Sequence, residues 1–473
     1  MKERIRSGPL SETDTAQSKE PARHDPYAAL REPNYRYFAS GWVLGSMGLQ
    51  MQGTALAWEV YEKTRDPLSL GIVSLSRALP VLVLSLPAGQ IVDLLDRRKI
   101  LISTQVAFAV TSILLTLGSA FNVGVSWIYL LVALTGCARV FNGPSRSSLL
   151  PQIVRPEHFH NAVTWNSGVF QLSATVGPLA AGGLIWLSAY LGMGKDAGGV
   201  AHGVAWPIYT IAGLSALALA LGCSMVRPYP DLVSKDARSN SMSVRDAIRP
   251  SVLLPGILEG ARHVWREKTV FGALALDLFA VLLGGATALM PVYAKDILHV
   301  GPVGLGALKA APFVGALFVA LLLAHRKPFE RAGRTLLLCV AGFGACTIAF
   351  GFSTSFWLSL VLLVTLGALD GVSVVIRHVL VSVRTPDHVR GRVSAVNSVF
   401  IESSNELGGF ESGLVARLFT PLISVVSGGI GTIVVVIAMA WWLPELRRLG
   451  RLQTPKVEVE EAIEQNEEAH APA

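Results

Sequence analysis

The residues of this chain best suited to chemistry are charged side chains set inside long apolar runs: Arg77, Arg139, Asp277, Lys309, Asp370, Arg377, Glu402 and Glu406. A charge at the centre of a bilayer costs roughly 2.5–3.5 kcal/mol on insertion scales, so each needs an ion pair, a proton or a ligand to account for it. Asp277 has only apolar flanks and reads as an isolated carboxylate, a setting suited to taking up and releasing a proton. Glu402 and Glu406 stand one helical turn apart with Asn405 between them. Like charges at that spacing repel, so one is expected protonated, or both face cations or water. Arg139 keeps its charge and cannot release a proton; it can bias a carboxylate or attract an anion. Arg77 and Lys309 each precede a proline (Pro80, Pro312) by three residues and form a matched basic pair, for which snorkelling to the outer surface is the alternative. Gln50, Gln52 and Asn142 are neutral candidates for lining a cavity.

Several chemistries are not expected. No G-x-x-x-x-G-K-(S/T) phosphate loop, catalytic triad or metal-ligand cluster occurs, so the chain reads as neither an ATP-driven pump nor an enzyme, with no metal or other cofactor. Cys137, Cys223, Cys339 and Cys346 fall in apolar runs at spacings that fit no metal site.

The elements that hold these residues are membrane helices. Hydrophobic residues make up 51% of the chain, charged ones only 15%, and mean hydropathy is +0.49. Soluble domains carry about 25% charged residues, so the deficit places the chain in a bilayer. About twelve stretches reach the roughly 20 apolar residues that a spanning helix needs. Of the 40 Lys and Arg, about 31 fall on one side of this topology. About five (Lys63, Arg65, Lys195, Lys295, Arg417) fall on the other. That bias puts both termini in the cytoplasm and makes the net charge of +7 a topology signal rather than a nucleic-acid one.

The expected organisation is a disordered tail over 1–33, a six-helix bundle over 34–226, a cytoplasmic linker over 227–268, a second bundle over 269–443 and an acidic disordered tail over 444–473. Within the linker, residues 255–266 have the spacing of an amphipathic surface helix. A shift of about 230 residues lays one half on the other. Pro156-Glu157-His158 meets Pro386-Asp387-His388, Val169-Phe170 meets Val399-Phe400, and Arg77-Ala-Leu-Pro80 meets Lys309-Ala-Ala-Pro312. Two parallel six-helix repeats with a site at their interface is a transporter architecture. In this register Asp370 occupies the position of Arg139, and Arg377 that of Arg146. Arg139 and Asp370 are therefore expected to face each other across a central cavity. The alternative is an Asp370–Arg377 pair on one helix face, nearly two turns or about 10 Å apart.

Between the second and third runs stands Gly89-Gln-Ile-Val-Asp93-Leu-Leu-Asp96-Arg97-Arg98-Lys99. It resembles the G-x-x-x-D-(R/K)-x-G-(R/K)-(R/K) loop of the major facilitator superfamily, with Leu94 in place of a base and Asp96 in place of glycine. More narrowly, the chain is similar to that superfamily's enterobactin-exporter-like and macrolide-efflux-like branch. The residues that carry this are Arg139-Val-Phe-Asn-Gly-Pro-Ser-Arg-Ser-Ser-Leu-Leu-Pro151, Leu308-Lys-Ala-Ala-Pro-Phe-Val-Gly-Ala316, Arg390-Gly-Arg-Val-Ser-Ala-Val-Asn-Ser398 and Ser404-Asn-Glu-Leu-Gly-Gly-Phe-Glu-Ser-Gly413.

The resemblance implies an all-α major facilitator fold of twelve transmembrane helices. It implies export of a small amphipathic molecule, a siderophore or lipophilic drug, by alternating access driven by the proton gradient. The setting would be a bacterial inner membrane, with the lipid bilayer and the substrate as partners, no nucleic acid or ATP, and a monomer as the working unit. Uptake, or lipid movement between leaflets, is the competing reading; a sensor or enzyme on the same fold is a distant one.

The resemblance ties Arg139, with Gly143 in an R-x-x-x-G pattern, to proton transfer; Asp370 at its repeat position and isolated Asp277 are the candidate proton carriers beside it. Gly89, Asp93, Arg97, Arg98, Arg390 and Arg392 would form a cytoplasmic gate in which Asp93 meets the start of helix eleven, with Asp96 sharing its cations. Gly177, Pro178 and Gly182 resemble the antiporter motif G-P-x-x-G-G with one residue inserted, and are expected to allow close helix packing. Glu402, Asn405 and Glu406 are expected to serve structure behind the cavity.

Overall fold

The computed structural model describes residues 25–193, 203–232, 258–259, 261–326 and 329–450. Its long helices are α1 (Pro33–Thr64), α2 (Pro67–Leu94), α3 (Arg97–Ala120), α4 (Val125–Ile153), α5 (Pro156–Tyr190), α6 (Trp206–Met225), α7 (Lys268–Leu283), α8 (Gly301–Ala324), α9 (Ala332–Phe352), α10 (Phe356–Arg384), α11 (Asp387–Leu418) and α12 (Pro421–Trp442). No strand occurs among the described residues. That is what a bilayer demands of an open chain, because only a helix satisfies its own backbone in hydrocarbon.

Proline and capping side chains start many of these helices. Pro33, Pro67, Pro156 and Pro421 open their first turns, where a missing N–H costs nothing. Asp66 accepts from Leu68 N at 3.0 Å ahead of α2, and Thr420 from Ile423 N at 3.1 Å ahead of α12.

Among the described residues, ten helices can cross a membrane by length and composition: α2 to α6, α7 with its continuation to Ile297, α8 to α10, and α12. The other two, α1 and α11, have 32 residues each but carry charged and amide side chains through their lengths. Twelve spans were expected; composition alone identifies ten.

The internal repeat is visible in the packing. α4 and α10 are both 29 residues long, and α5 and α11 follow each after a short turn. In the first half α2 packs on α4, α3 on α4 and α6, and α1 on α5 and α6. Adding six to each number gives the pairs of the second half: α8 on α10, α9 on α10 and α12, and α7 on α11 and α12. The halves meet through α2 against α11 and α5 against α8.

α7 is the least regular element. It stops at Leu283, passes through Gly284 and Gly285, and continues as a 3₁₀ turn (Ala286–Leu289), one α turn (Met290–Val292) and a π turn (Tyr293–Ile297). A Cβ on Gly285 would lie 2.6 Å from the Gly408 carbonyl of α11, so only glycine permits this approach. Thr432 of α12 donates to the Ala280 carbonyl at 3.2 Å near the break. Irregular backbone at membrane depth is tolerated where other helices or a cavity receive it.

The ordered structure extends beyond the expected tail boundaries at both ends. Residues 28–31 form a helical turn, Ala29 is buried, and Glu32 is 7% exposed. Glu32 accepts from Arg155 N at 3.2 Å, lies 2.8 Å from His158 Nδ1, and receives the Tyr229 hydroxyl at 3.4 Å. At the other end Leu446 and Leu449 are buried against the start of α9. The rest of both tails and most of the linker lie outside the described residues. Of the expected amphipathic helix, residues 261–266 are helical, with Val264 buried and Trp265 exposed, as a surface helix requires.

Glu32 ties the chain's first turn to α5 and to the start of the linker. Glu32→Ala would strand these donors, at about 1–3 kcal/mol. Thermal unfolding of the protein in lipid nanodiscs is expected to show a lower midpoint for this variant, and an unchanged midpoint would show the cluster to be energetically neutral.

Candidate functional site

Both ends of the described chain lie on one face of the bundle, here the terminal face; the α1–α2, α7–α8 and α11–α12 turns lie on the far face. The apolar core divides along that axis. At the far face one cluster joins both halves, with Leu56 and Tyr61 of α1, Ile185 of α5, Tyr293 of the π turn, Leu305 of α8 and Phe350 of α9. Toward the terminal face the halves have separate cores, one around Tyr35, Phe38 and Leu149 and one around Leu336, Leu380 and Leu446.

Glycines report the same asymmetry. A Cβ on Gly182 of α5 would lie 2.4 Å from the Pro302 carbonyl of α8, and one on Gly306 of α8 would lie 2.4 Å from the Pro178 carbonyl of α5. A Cβ on Gly413 of α11 would lie 2.8 Å from Gly71 Cα of α2. The halves are thus packed backbone to backbone at the far face, while toward the terminal face their apolar cores stay separate.

Ion pairs clasp the far face. Arg65, the left-handed residue (φ 52°) that ends α1, reaches Glu62 at 3.5 Å and Asp296 of the π turn at 3.7 Å. The Tyr61 hydroxyl donates to Asp296, and Lys295 pairs with Glu62. Asp66 caps α2 with one oxygen and meets Arg417 of α11 at 3.1 Å with the other. Lys63 pairs with Glu59 at 2.9 Å. Thus Lys63, Arg65, Lys295 and Arg417, the far-side cations that ran against the charge bias, are all neutralised. The fifth, Lys195, lies outside the described residues.

Beneath the clasp, between the halves, is a cavity of about 370 Å³. Its polar lining includes Gln50 of α1, Arg77 of α2, Lys309 of α8, and Asn405 and Glu406 of α11; its apolar lining includes Met290 and Phe313. Broken α7 contributes Thr287 and Ala288. A side void of about 50 Å³ continues from Arg77 to Gln52 and Arg139.

Several expectations are redirected by this geometry. Glu406 and Asn405, expected to serve structure, line the cavity, because α11 packs on α2 and turns that face inward. Arg139 does not pair with Asp370; it approaches Glu402 across the interface at 3.9 Å. Asp277 is not isolated, since Arg377 of α10 pairs with it and also lies 3.8 Å from Asp370. An arginine side chain spans the two turns that helix rise alone makes too long. Arg146, the repeat mate of Arg377, instead lies over the Trp42 ring, 3.9 Å from its centroid. Asn142 donates to Thr104 of α3 at 3.3 Å, and Gln52 accepts from Ser112 of α3 at 3.3 Å, so both serve the first half's interior more than the cavity.

The loop at 89–99 divides in the same way. Asp96 accepts from Arg98 N at 3.0 Å and Lys99 N at 3.3 Å, capping α3; this explains a carboxylate where the superfamily has glycine. Arg98 donates to the carbonyls of Cys223 and Ser224 at the end of α6, inside its own half. Arg392 pairs with Glu259 of the linker. The side chains of Asp93 and Arg390 lie outside the described residues. Gly177 packs on α1, where its Cβ would lie 2.7 Å from Gln50 Cβ, and Pro178 and Gly182 face α8.

Residues 24–468 match the model of a family described as transmembrane secretion effector. The chain is 26% identical over 364 residues to the multidrug efflux pump Tap of Mycolicibacterium fortuitum, spanning 75% of this chain and 82% of that protein. It is 26% identical over 202 residues to the enterobactin exporter EntS of Escherichia coli, 43% of this chain and 48% of the exporter. In fold it is similar to a bacterial homologue of the human lysosomal transporter Spinster in an inward-facing, occupied conformation, with TM-score 0.65 and 13% identity over 90% of this chain and 98% of that one.

Gly182→Val is expected to keep the far face from closing, because overpacking at a backbone contact costs ~1–3 kcal/mol. Spin labels on the far ends of α5 and α8 should report a longer-distance population rising about tenfold or more. An unchanged distance distribution would show that the contact does not limit closure.

Proposed function

We propose, from the premise that this chain belongs to the transmembrane secretion effector family of major facilitator transporters, that it is a secondary transporter exporting a small amphipathic molecule, a siderophore or lipophilic drug. One observation carries the reading: a cavity of mixed polarity lies at the interface of two repeat-related halves that are in contact at one face and have separate cores at the other. Such a cavity serves alternating access, in which the halves rock about a fixed site. The Lys and Arg bias supports a cytoplasmic terminal face, which in this reading makes the conformation inward-open and ready to load substrate from within. The working setting is a bacterial inner membrane with α1 and α11 as the eleventh and twelfth spans, the protein acting as a monomer.

The proton gradient drives the cycle in this reading. Asp277, Arg377 and Asp370 place two carboxylates on one guanidinium, so the cluster is neutral only when it also holds a proton. Arg377 is engaged closely by Asp277, and the Asp370 side chain is 47% exposed. Asp370 is therefore the carrier, and Asp277 holds the guanidinium in place. Arg139 and Glu402 form a second, balanced pair that crosses the interface.

Inverted vesicles with an acidified interior are expected to accumulate a fluorescent lipophilic dye or an iron-free siderophore when they contain the protein; accumulation in right-side-out vesicles alone overturns export. In the same assay Asp370→Asn should abolish the dependence on the proton gradient, and full proton-dependent transport by this variant removes Asp370 from the role.

In this reading Asp93, at the end of α2, meets the positive N-terminus of α11 with Arg390 and Arg392 when the far face opens, as the resemblance implies. Asp93→Asn is expected to slow transport by destabilising the outward-open state while leaving substrate binding in the inward-open state intact. An unchanged transport rate would count against the latch.

A further inference from the structure

The charges around the cavity do not balance. Arg77 and Lys309 enter it from opposite halves, and the only carboxylate lining it, among the described residues, is Glu406. Arg77 makes no hydrogen bond or ion pair among the described residues; Glu406 is the first of its charged neighbours. Among the described residues Lys309 donates only to the Gly53 carbonyl, at 3.3 Å. The neighbouring charges are already committed, Arg139 to Glu402 and Arg377 to Asp277 and Asp370. One basic side chain therefore faces the cavity without a counter-charge, and a base withdrawn from water keeps its proton at low cost only when an anion joins it.

We propose that the transported molecule is an amphipathic anion whose carboxylate, or comparable oxyanion, bridges Arg77 of α2 and Lys309 of α8. This inference rests on the export reading and names the substrate class of its site. The two cations occupy repeat-equivalent positions, each one turn before a proline, so they approach the ligand symmetrically from the two halves. An anion between them draws α2 and α8 together, which couples loading to movement of the halves. Met290 and Phe313 supply apolar surface for the body of the molecule, and about 370 Å³ lies in the range of small-ligand pockets. Glu406, facing Arg77, offsets one of the two cations and leaves the site as a whole with an uncompensated positive charge. The same carboxylate would hold the ligand if the site took cations instead, so the cation is the competing outcome.

The test uses the full-length protein in nanodiscs near neutral pH and two dyes on one scaffold, anionic fluorescein and cationic rhodamine 123, read by fluorescence polarisation. Fluorescein is expected to bind at least about tenfold more tightly. Arg77→Gln and Lys309→Gln should each weaken fluorescein about tenfold or more and leave rhodamine 123 unweakened. Arg77→Lys and Lys309→Arg should restore much of the loss, which separates lost charge from lost folding, and Glu406→Gln should tighten fluorescein. Tighter binding of rhodamine 123 that Glu406→Gln abolishes overturns the proposal, as does fluorescein binding that neither glutamine variant changes. Equilibrium binding requires no gradient and no direction of transport, so an anion site that fails leaves the vesicle test of export standing, and the reverse holds equally.

Discussion

Backbone-to-backbone contact between the two halves at the far face sets the rest of the structure. Gly71 against Gly413, Gly182 against Pro302 and Gly306 against Pro178 bring helices from different halves as close as helices can come. In lipid no hydrophobic force drives one apolar helix onto another, so close packing of small residues must supply the attraction. The consequences follow inward along the same helices. Once α2 lies on α11, Arg77 and Glu406 face one cavity; once α5 lies on α8, Lys309 comes within reach of Gly53. The cavity's roof is thus made by glycines that carry no chemistry themselves.

The ion pairs above that roof are of a different kind. Arg65 and Arg417 are 58% exposed or nearly so, and exposed pairs contribute ~0.2–1 kcal/mol each. The Arg65–Asp296 and Asp66–Arg417 pairs together therefore contribute on the order of 0.4–2 kcal/mol, to which the half-buried Lys295–Glu62 pair adds. A bias of that size favours the closed far face by roughly an order of magnitude and can still be reversed within a transport cycle. Packing fixes where the halves touch; the charges tune how long they stay together.

How much of this could be read from the sequence depended on which physical rule was in force. Apolar runs, the repeat and the matched cations Arg77 and Lys309 were legible, because each follows from periodicity or spacing along one chain. Partner choice was legible only in part: the Asp370–Arg377 pair stood as the alternative reading and is present, while the partners of Arg139 and Asp277 were not foreseen. The sequence placed Arg139 and Asp370 at equivalent positions, yet equivalence relates residues by symmetry and does not put them in contact. Arg377 reached Asp370 and Asp277 because guanidinium groups extend along a helix face farther than backbone rise suggests. Asp96 read as a spare gate carboxylate when its task is to cap α3, which Asp followed by helical residues could have signalled. The break in α7 was marked by Gly284-Gly285 inside an apolar run, a signal that hydropathy alone smooths over.

The residues that violate the membrane rules are not scattered. α1 and α11 fail a test of apolar composition, α7 breaks its helix, and Arg77 and Lys309 carry charge at depth; all five border the cavity between the halves, while three other deep charges, Asp277, Asp370 and Arg377, pair with one another inside the second half. Hydrocarbon tolerates polar side chains and irregular backbone only where protein or water replaces lipid as the neighbour. A helix that borders a water-filled path on one side needs an apolar surface only on its other sides, and α11, packed between α2, α7 and α12, has little surface left for lipid. The polar composition of α1 and α11 is therefore the mark of a transport path in the sequence itself, and the two helices that composition leaves out are the two that a path between the halves most requires.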